Sequence, residues 1–555
     1  MRKLFAVLIL VTLPAAANEV SVRSLQSGST YGGTPLYDHG LHGEGQVVAV
    51  LDTGVDVTIC YFAEADGSLP PFNTGTPTGG LQSSNVNPAR RKVIAYDFLY
   101  SCDQFPGAHG CETPGVDSFD NQGHGTHAAA SAVGDKGTPI AHDYADAIAT
   151  GAKLVVQDAG YIGGDNCSQR PGIGCPVNLT PILAQAYAQG ARIHSNSWGD
   201  RQNVPPVVNA PTANYSTSAR DVDAFVYSHP DMLVVFNTGN YSANAVPPAS
   251  SLSAPGCAKN TLQVGGTRGG GYFDDTLASY SLAGPTRDGR LKPDLVGPAT
   301  VTAGDAQFAT KSSCGFSTQD GTSWSSPTLA GAAALVRQYY TDGYYPTGVP
   351  TPSNRFTPSA ALLKATMIAA ARSVPHRWSG SGLVDAAPAP SPQQGFGFPV
   401  LDDALYFPGD TAKLRTVDVP LANGLTDGET ATLRVSAKSG TPLKAVLVWT
   451  DPAGVPRGTT DATPELVNDL DLRVTAPDGT TIFGNEALHP GQPDRLNNVE
   501  VAPVGQPVSG VYTVTVTANH IAAGPRQSYA LVITGDVTDA AGPAPAAARR
   551  RSARH

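Results

Sequence analysis

The sequence predicts an α/β protein: a doubly wound, mainly parallel sheet followed by a β-sandwich or jelly-roll domain. Three observations predict it. Between Val47 and Val264, continuous apolar runs of strand length alternate with helix-like segments, the pattern of parallel strands buried on both faces. Near residue 401 the texture changes, and short β-branched or alternating runs separated by turns take over, as in all-β architectures. The 60 glycines and 46 prolines among 555 residues indicate many turns and long ordered loops, not a helical bundle.

Met1-Arg2-Lys3, the apolar stretch Leu4 to Leu13 and Pro14-Ala15-Ala16-Ala17 describe a secretory signal peptide over 1–17, cleaved after Ala17. Export to the extracellular medium or the periplasm is the expectation. No later run is long and apolar enough to anchor the chain in a bilayer. Residues 18–42 are polar and turn-rich and open a domain expected over 18–400. Its first buried strand, Val47 to Leu51, ends in Asp52-Thr53-Gly54. Active sites of open α/β sheets gather at that edge, although an Asp that merely caps the next turn fits the segment too. Residues 63–122 read as an irregular surface excursion. Gly123-His124-Gly125-Thr126-His127 then leads into Ala128 to Val133, a closely packed helix.

Further strands are expected at Lys153 to Val156, Ala191 to Ser195, Met232 to Phe236 and Thr261 to Val264. Helices fall at Pro181 to Gln189 and Asp221 to Ser228. Two strands end in Asn196-Ser197-Trp198-Gly199 and Asn237-Thr238-Gly239-Asn240, on the same edge as Asp52. The loop Gly321-Thr322-Ser323 precedes an alanine-rich helix, with Pro327 expected in its first turn. A second helix covers Ser359 to Arg372. The β-domain is expected over 401–540, with strands such as Leu443 to Thr450 and a hairpin turn at Pro477-Asp478-Gly479-Thr480. The Ala/Pro-rich, arginine-ended tail 541–555 reads as disordered.

A net charge of -10 argues against a nucleic-acid partner. Seven cysteines in an exported chain imply disulfides. Cys102 with Cys111 and Cys167 with Cys175 close short loops. Cys257 with Cys314 is the third expected pair, and Cys60 is left over.

The candidates for chemistry are Asp52, His124, Asn240 and Ser323, each in a glycine-bearing loop. At a helix N-terminus, outward N–H groups favour negative charge, which suits a nucleophilic serine beside which an oxyanion forms. The same Gly-Thr-Ser also fits a plain N-cap. His124 suits a general base. The pair His124 and His127 lacks the glutamate of the zinc-peptidase pattern. Ser325 stands where a Gly-x-Ser-x-Gly elbow needs its second glycine.

Asp52-Thr53-Gly54, His124-Gly125-Thr126-His127 and Gly321-Thr322-Ser323 together resemble the three signature blocks of subtilisin-like serine peptidases, in that family's chain order. The likeness runs over roughly residues 40–400 and includes Gly284-Pro285-Thr286 and Asp288 to Asp294. The segment Val467 to Leu472 resembles the C-terminal β-domain of large secreted alkaline proteases. The resemblance implies a serine endopeptidase acting on proteins or peptides as a monomer. It casts Ser323 as nucleophile, His124 as general base, Asp52 as its orienting carboxylate and Asn240 as oxyanion donor. Ser197, Trp198, Gly199 and Gly239 would line the substrate strand and S1 pocket, with a large apolar P1 residue preferred. Trp324 departs from the methionine more often found after the nucleophile. No cofactor is implied for the chemistry. Structural calcium is common in such proteins, and Asp469 and Asp471, on one side of a strand, are the expected ligands, although two exposed acids on an edge strand fit equally. A silent binding protein of the same fold, or a carbohydrate-binding β-domain, are the competing classes. The intact Asp52, His124, Asn240 and Ser323 argue against the first, and the buried setting expected for Trp449 against the second.

Overall fold

The computed structural model describes residues 17–540, apart from 75–80, 82, 100–119, 121–122, 138–142, 160–177, 200, 205–206, 212, 242–248, 269–274, 308–311 and 379–381. The signal peptide up to residue 16, the tail 541–555 and the pairs Cys102–Cys111 and Cys167–Cys175 therefore lie outside the described residues.

At the centre is β1 (Val47–Asp52), buried at five of its six positions. It has no polar face, as a strand covered by helices on both sides requires. It pairs in parallel with β4 (Lys153–Asp158) and β5 (Ile193–Asn196). The sheet continues in parallel through β8 (Leu233–Asn237) to β9 (Leu262–Thr267) on one side. On the other it continues through β3 (Val93–Phe98) to β2 (Phe72–Thr74). Between β5 and β8 in sequence lies the hairpin of β6 (Arg201–Val204) and β7 (Val207–Pro211).

The expected surface excursion over 63–122 thus contributes two strands to the sheet. Buried Asp97 interrupts the apolar run of β3, and only tertiary partners explain it. Its carboxylate accepts from Asn73 and Gln189, both at 2.7 Å. Burial still pushes Asp97 up to about 7. Residues 18–42 also depart from expectation, because α1 (Ala17–Ser27) is helical and places Val22 and Leu25 in the core.

A short turn of helix, α2 (Pro35–Asp38), precedes β1. Helix α3 (His124–Val133) is buried over nearly its whole length. The outer helices α4 (Leu179–Ala188) and α5 (Thr217–Ser228) are N-capped by Asn178 and Ser216. Helix α6 (Thr322–Thr341) packs against α3. A Cβ on its Gly331 would come within 2.6 Å of the Ala132 carbonyl, so small residues are a packing requirement here. Pro327 falls inside α6, at its sixth position rather than in its first turn. Its missing N–H leaves the Ser323 carbonyl without a helical partner. Ser197 Oγ fills that role, donating to the Ser323 carbonyl at 2.6 Å.

After α7 (Ala360–Ala369), two antiparallel sheets make up the C-terminal region. One has the strands 413–419, 529–535, 443–448 and 499–504; the other has 481–483, 468–475, 510–521, 430–437 and 537–539. They enclose a core of Leu447, Trp449, Leu470, Val514, Leu531 and Ile533. Trp449 is fully buried and donates from Nε1 to the Asn468 carbonyl at 2.9 Å. It offers no platform for a sugar. The hairpin turn at Pro477 to Thr480 is present, closed by the Ala476 N–H on the Thr480 carbonyl at 2.8 Å.

Candidate active site

Asp52 is the last residue of β1 and is 1% exposed. Its Oδ1 accepts the N–H of Thr53 at 2.8 Å and Nδ1–H of His124 at 2.6 Å. His124 opens α3, so strand end and helix start meet backbone to backbone. A Cβ on Gly125 would lie 2.0 Å from the Gly54 carbonyl oxygen. Only glycine allows this approach. Burial pulls the His124 pKa down, but the charge and hydrogen bond of Asp52 outweigh it, and the net value lies above 6.5.

Ser323 is the second residue of α6 and is buried apart from its edge. Its Oγ donates to the Ser197 carbonyl at 3.3 Å. Trp324 is buried, its ring 4.8 Å from that of His124 and 4.3 Å from that of His127. It therefore packs beneath this edge and holds both imidazoles from one side. His127 uses Nε2–H on the Ser317 carbonyl at 3.2 Å, and burial pushes it down to about 4. It is a neutral packing residue, with its ring fixed by a backbone partner.

Asn240 follows β8 and bridges to Ser281. Its side-chain oxygen accepts the N–H and the hydroxyl of Thr322, each at 2.9 Å. That assigns the amide orientation and leaves the NH2 group to donate. Trp198 is buried edge-on against Phe236, with centroids 5.3 Å apart. A Cβ on Gly199 or Gly239 would strike the side chain of Ser253, at 2.6 and 2.7 Å. Both glycines thus admit the 252–254 segment beside the site.

Asp120 is a residue that sequence pattern does not single out. It is 1% exposed and precedes α3, and its carboxylate gathers donors from both the Asp52 and the His124 segments. An acidic residue just before a helix is a common enough pattern that only its partners make it notable.

Asp469 and Asp471 sit in the five-stranded antiparallel sheet, apart from this cluster. Both are paired with the guanidinium of Arg495, which lies 3.1 Å from Asp469. Asn519 donates to Asp469 at 2.8 Å. A cation already stands between the two carboxylates, so the residues present do not fit the expected calcium site. The disulfide joins Cys60 to Cys314. This corrects the expected Cys257–Cys314 pair: Cys257 is buried and free, and its Sγ–H donates to the Ser253 carbonyl at 3.7 Å.

The sequence model of the Subtilase family (Peptidase_S8) matches residues 43–398. Among characterised proteins, the chain is 27% identical over 625 aligned positions to the serine protease/ABC transporter B family protein tagA of Dictyostelium discoideum, covering 93% of this chain and 32% of that protein. A related Dictyostelium discoideum protein, tagB, is 26% identical over 89% of this chain and 30% of its own length. The chain spans about a third of the length of these relatives. Among solved structures, the serine protease of Aeromonas sobria aligns with 94% of this chain and 95% of its own, at 15% identity and a TM-score of 0.40. The prenylagaramide maturation protease PagA aligns with 66% of this chain and 96% of its own, at 17% identity and a TM-score of 0.41. The family match spans most of the chain and contains Asp52, His124, Asn240 and Ser323; the chain belongs to the subtilase family of serine peptidases.

Proposed function

We propose that the protein is an exported serine endopeptidase that cleaves peptide bonds in proteins through Asp52, His124 and Ser323, by way of an acyl-enzyme. The observation that carries the reading is the 2.6 Å contact between buried Asp52 and His124 Nδ1, with the His124 ring packed 4.8 Å from Trp324, the residue that follows Ser323 in the first turn of a long buried helix. Asp52 holds the imidazole with Nδ1 protonated and Nε2 free to accept a proton. Ser323 Oγ leaves the Ser197 carbonyl, attacks the scissile carbonyl carbon and gives its proton to His124. The imidazolium then protonates the leaving amine as the C–N bond breaks. Water repeats the sequence on the ester and restores the serine.

The negative oxygen of each tetrahedral intermediate needs donors aimed at it. The NH2 group of Asn240 and the N–H of Ser323 at the start of α6 suit that role. Substrate backbone would pair with the segment Ser197-Trp198-Gly199 as an added strand, beside Gly239. Export accords with the start of α1. Asn18, the first residue after the proposed cleavage, is buried and donates to the Asp146 carbonyl at 2.8 Å.

A fluorophosphonate probe on the purified protein, with casein digestion alongside, tests the reading. Labelling and digestion are expected, and both should vanish in a folded Ser323→Ala variant. Digestion that persists in that variant would refute the assignment.

A further inference from the structure

We infer that Asp120 is a positioning residue for the Asp52–His124 pair, holding the two segments that carry them in register. The inference rests on the reading of His124 as general base. Among the described residues, four hydrogen bonds reach the Asp120 carboxylate. Oδ1 accepts from Thr53 Oγ1 at 3.0 Å and from the Gly123 N–H at 2.9 Å. Oδ2 accepts from the Thr126 N–H at 2.8 Å and Thr126 Oγ1 at 2.7 Å. Three of these donors belong to the His124 segment. The fourth, Thr53, is the neighbour of Asp52.

Both threonines pass the link onward. Thr53 Oγ1 accepts the Gly125 N–H at 2.8 Å, and Thr126 Oγ1 accepts the Asp56 N–H at 2.9 Å. Each hydroxyl therefore gives its proton to Asp120 and uses a lone pair across the seam between the segments. At Gly125 and Gly54 the two backbones touch directly. The spacing between strand end and helix start is set by this polar network. An error of an ångström at such a point is costly, on the order of 10²-fold in rate.

A plain helix cap would also bury an aspartate here. Two features separate the readings. A cap serves its own helix, whereas Asp120 also holds Thr53. A cap's charge is incidental, whereas that of Asp120 acts on the imidazole. Burial opposes protonation of His124, Asp52 is the main force favouring it, and Asp120 adds to Asp52. Among the described residues, the titratable groups that act on His124 are Asp52 from β1, Asp120 from the preceding loop and His127 from the next turn of α3. Helix α6 presents the uncharged Trp324.

The test is Asp120→Asn, which keeps the shape, removes the charge and sets an NH2 group against donors. Steady-state kinetics on a peptide substrate should show kcat reduced by about tenfold or more, with KM nearly constant. The acid limb of kcat/KM should move to lower pH. A variant with unchanged kcat and an unmoved limb would overturn the inference, and so would a fall in kcat with the limb in place. Parent protein labelled by fluorophosphonate makes either result a failure of this inference alone; parent protein that never labels is a failure of the functional reading. If Asp120→Asn does not fold, Thr53→Val and Thr53→Ser decide. Loss of kcat in the first with retention in the second supports the clamp, and equal activity in both overturns it.

Discussion

At the scale of single residues, the proposed mechanism divides the site into groups that bind charge and groups that create it. Asn240 belongs to the first. Its side-chain oxygen is tied to Thr322 twice, so the amide is held before substrate arrives and costs no reorganisation. Asn240→Ala should therefore lower kcat with little change in KM, since the oxyanion exists only near the transition state. The expected loss is about 10²–10³-fold, the figure known for this donor in subtilisin itself and not a value obtained from this chain. An effect confined to KM would count against the role. His124 belongs to the second group. Its pKa is raised because Asp52 outweighs burial. The base must be neutral, so kcat/KM should rise with pH through a value above 6.5, and acidification should cost activity earlier than for an ordinary histidine. In Asp52→Asn burial acts without its main opponent, and the limb should fall toward lower pH. A pH–rate profile that keeps its acid limb in that variant would mean that another group titrates there.

At the scale of elements, continuous apolar runs were the legible signal, and β1, β4, β5, β8 and β9 lie close to where hydropathy predicts them. They are buried on both faces, so their pattern needs no partner to be read. Strand β3 was illegible because Asp97 interrupts it, and a buried carboxylate makes sense only beside Asn73 and Gln189. Asp120 escaped notice for the same reason: its residue type is ordinary and its four donors come from the fold. Cysteine pairing fails likewise. Cys60 and Cys314 are separated by 254 residues, and local loop closure gives no hint of them. The bond ties the loop after Asp52 to the start of the strand Phe316–Asp320, which pairs with the strand Thr300–Gly304 and runs into Ser323. The Cys60 N–H on the Ser313 carbonyl at 2.7 Å reinforces it. Closing so long a loop restricts the unfolded chain strongly. Cys60→Ser combined with Cys314→Ser should cost roughly 2–4 kcal/mol, read as a lower Tm. An unchanged midpoint would show that hydrogen bonds alone hold the two loops.

At the scale of the whole molecule, the parallel sheet and the four-stranded C-terminal sheet share one apolar core. Along the strands 443–448, 499–504 and 529–535, alternate residues face opposite ways. Val446, Val448, Val499, Val501, Ala530 and Val532 join the core that includes Leu362 and Leu363 of α7. Ala445, Leu447, Ala502, Leu531 and Ile533 join the core between the two antiparallel sheets. A sheet buried on both faces cannot be uncovered on one side without losing apolar burial. Lys444 adds a cap, donating to the Ala369 and Ala371 carbonyls at the end of α7 at 3.0 and 2.7 Å. The polar centre of the junction is Lys259. Its side chain is fully buried and pairs with Asp451, and it also donates to the Glu465 carbonyl at 2.8 Å. Beside it, Asn260 exchanges hydrogen bonds with the Asp451 backbone, both at 2.9 Å. Replacing such a pair by apolar groups can be neutral, but removing one partner strands the other charge in the interior, at about 3–5 kcal/mol. Lys259→Met should therefore destabilise both parts together. Calorimetry should show one transition, shifted to lower temperature, with loss of proteolysis coincident with loss of the β-sheet signal. Two separated transitions, with the β-rich part melting first and activity surviving it, would show instead that the parallel sheet stands without its neighbour.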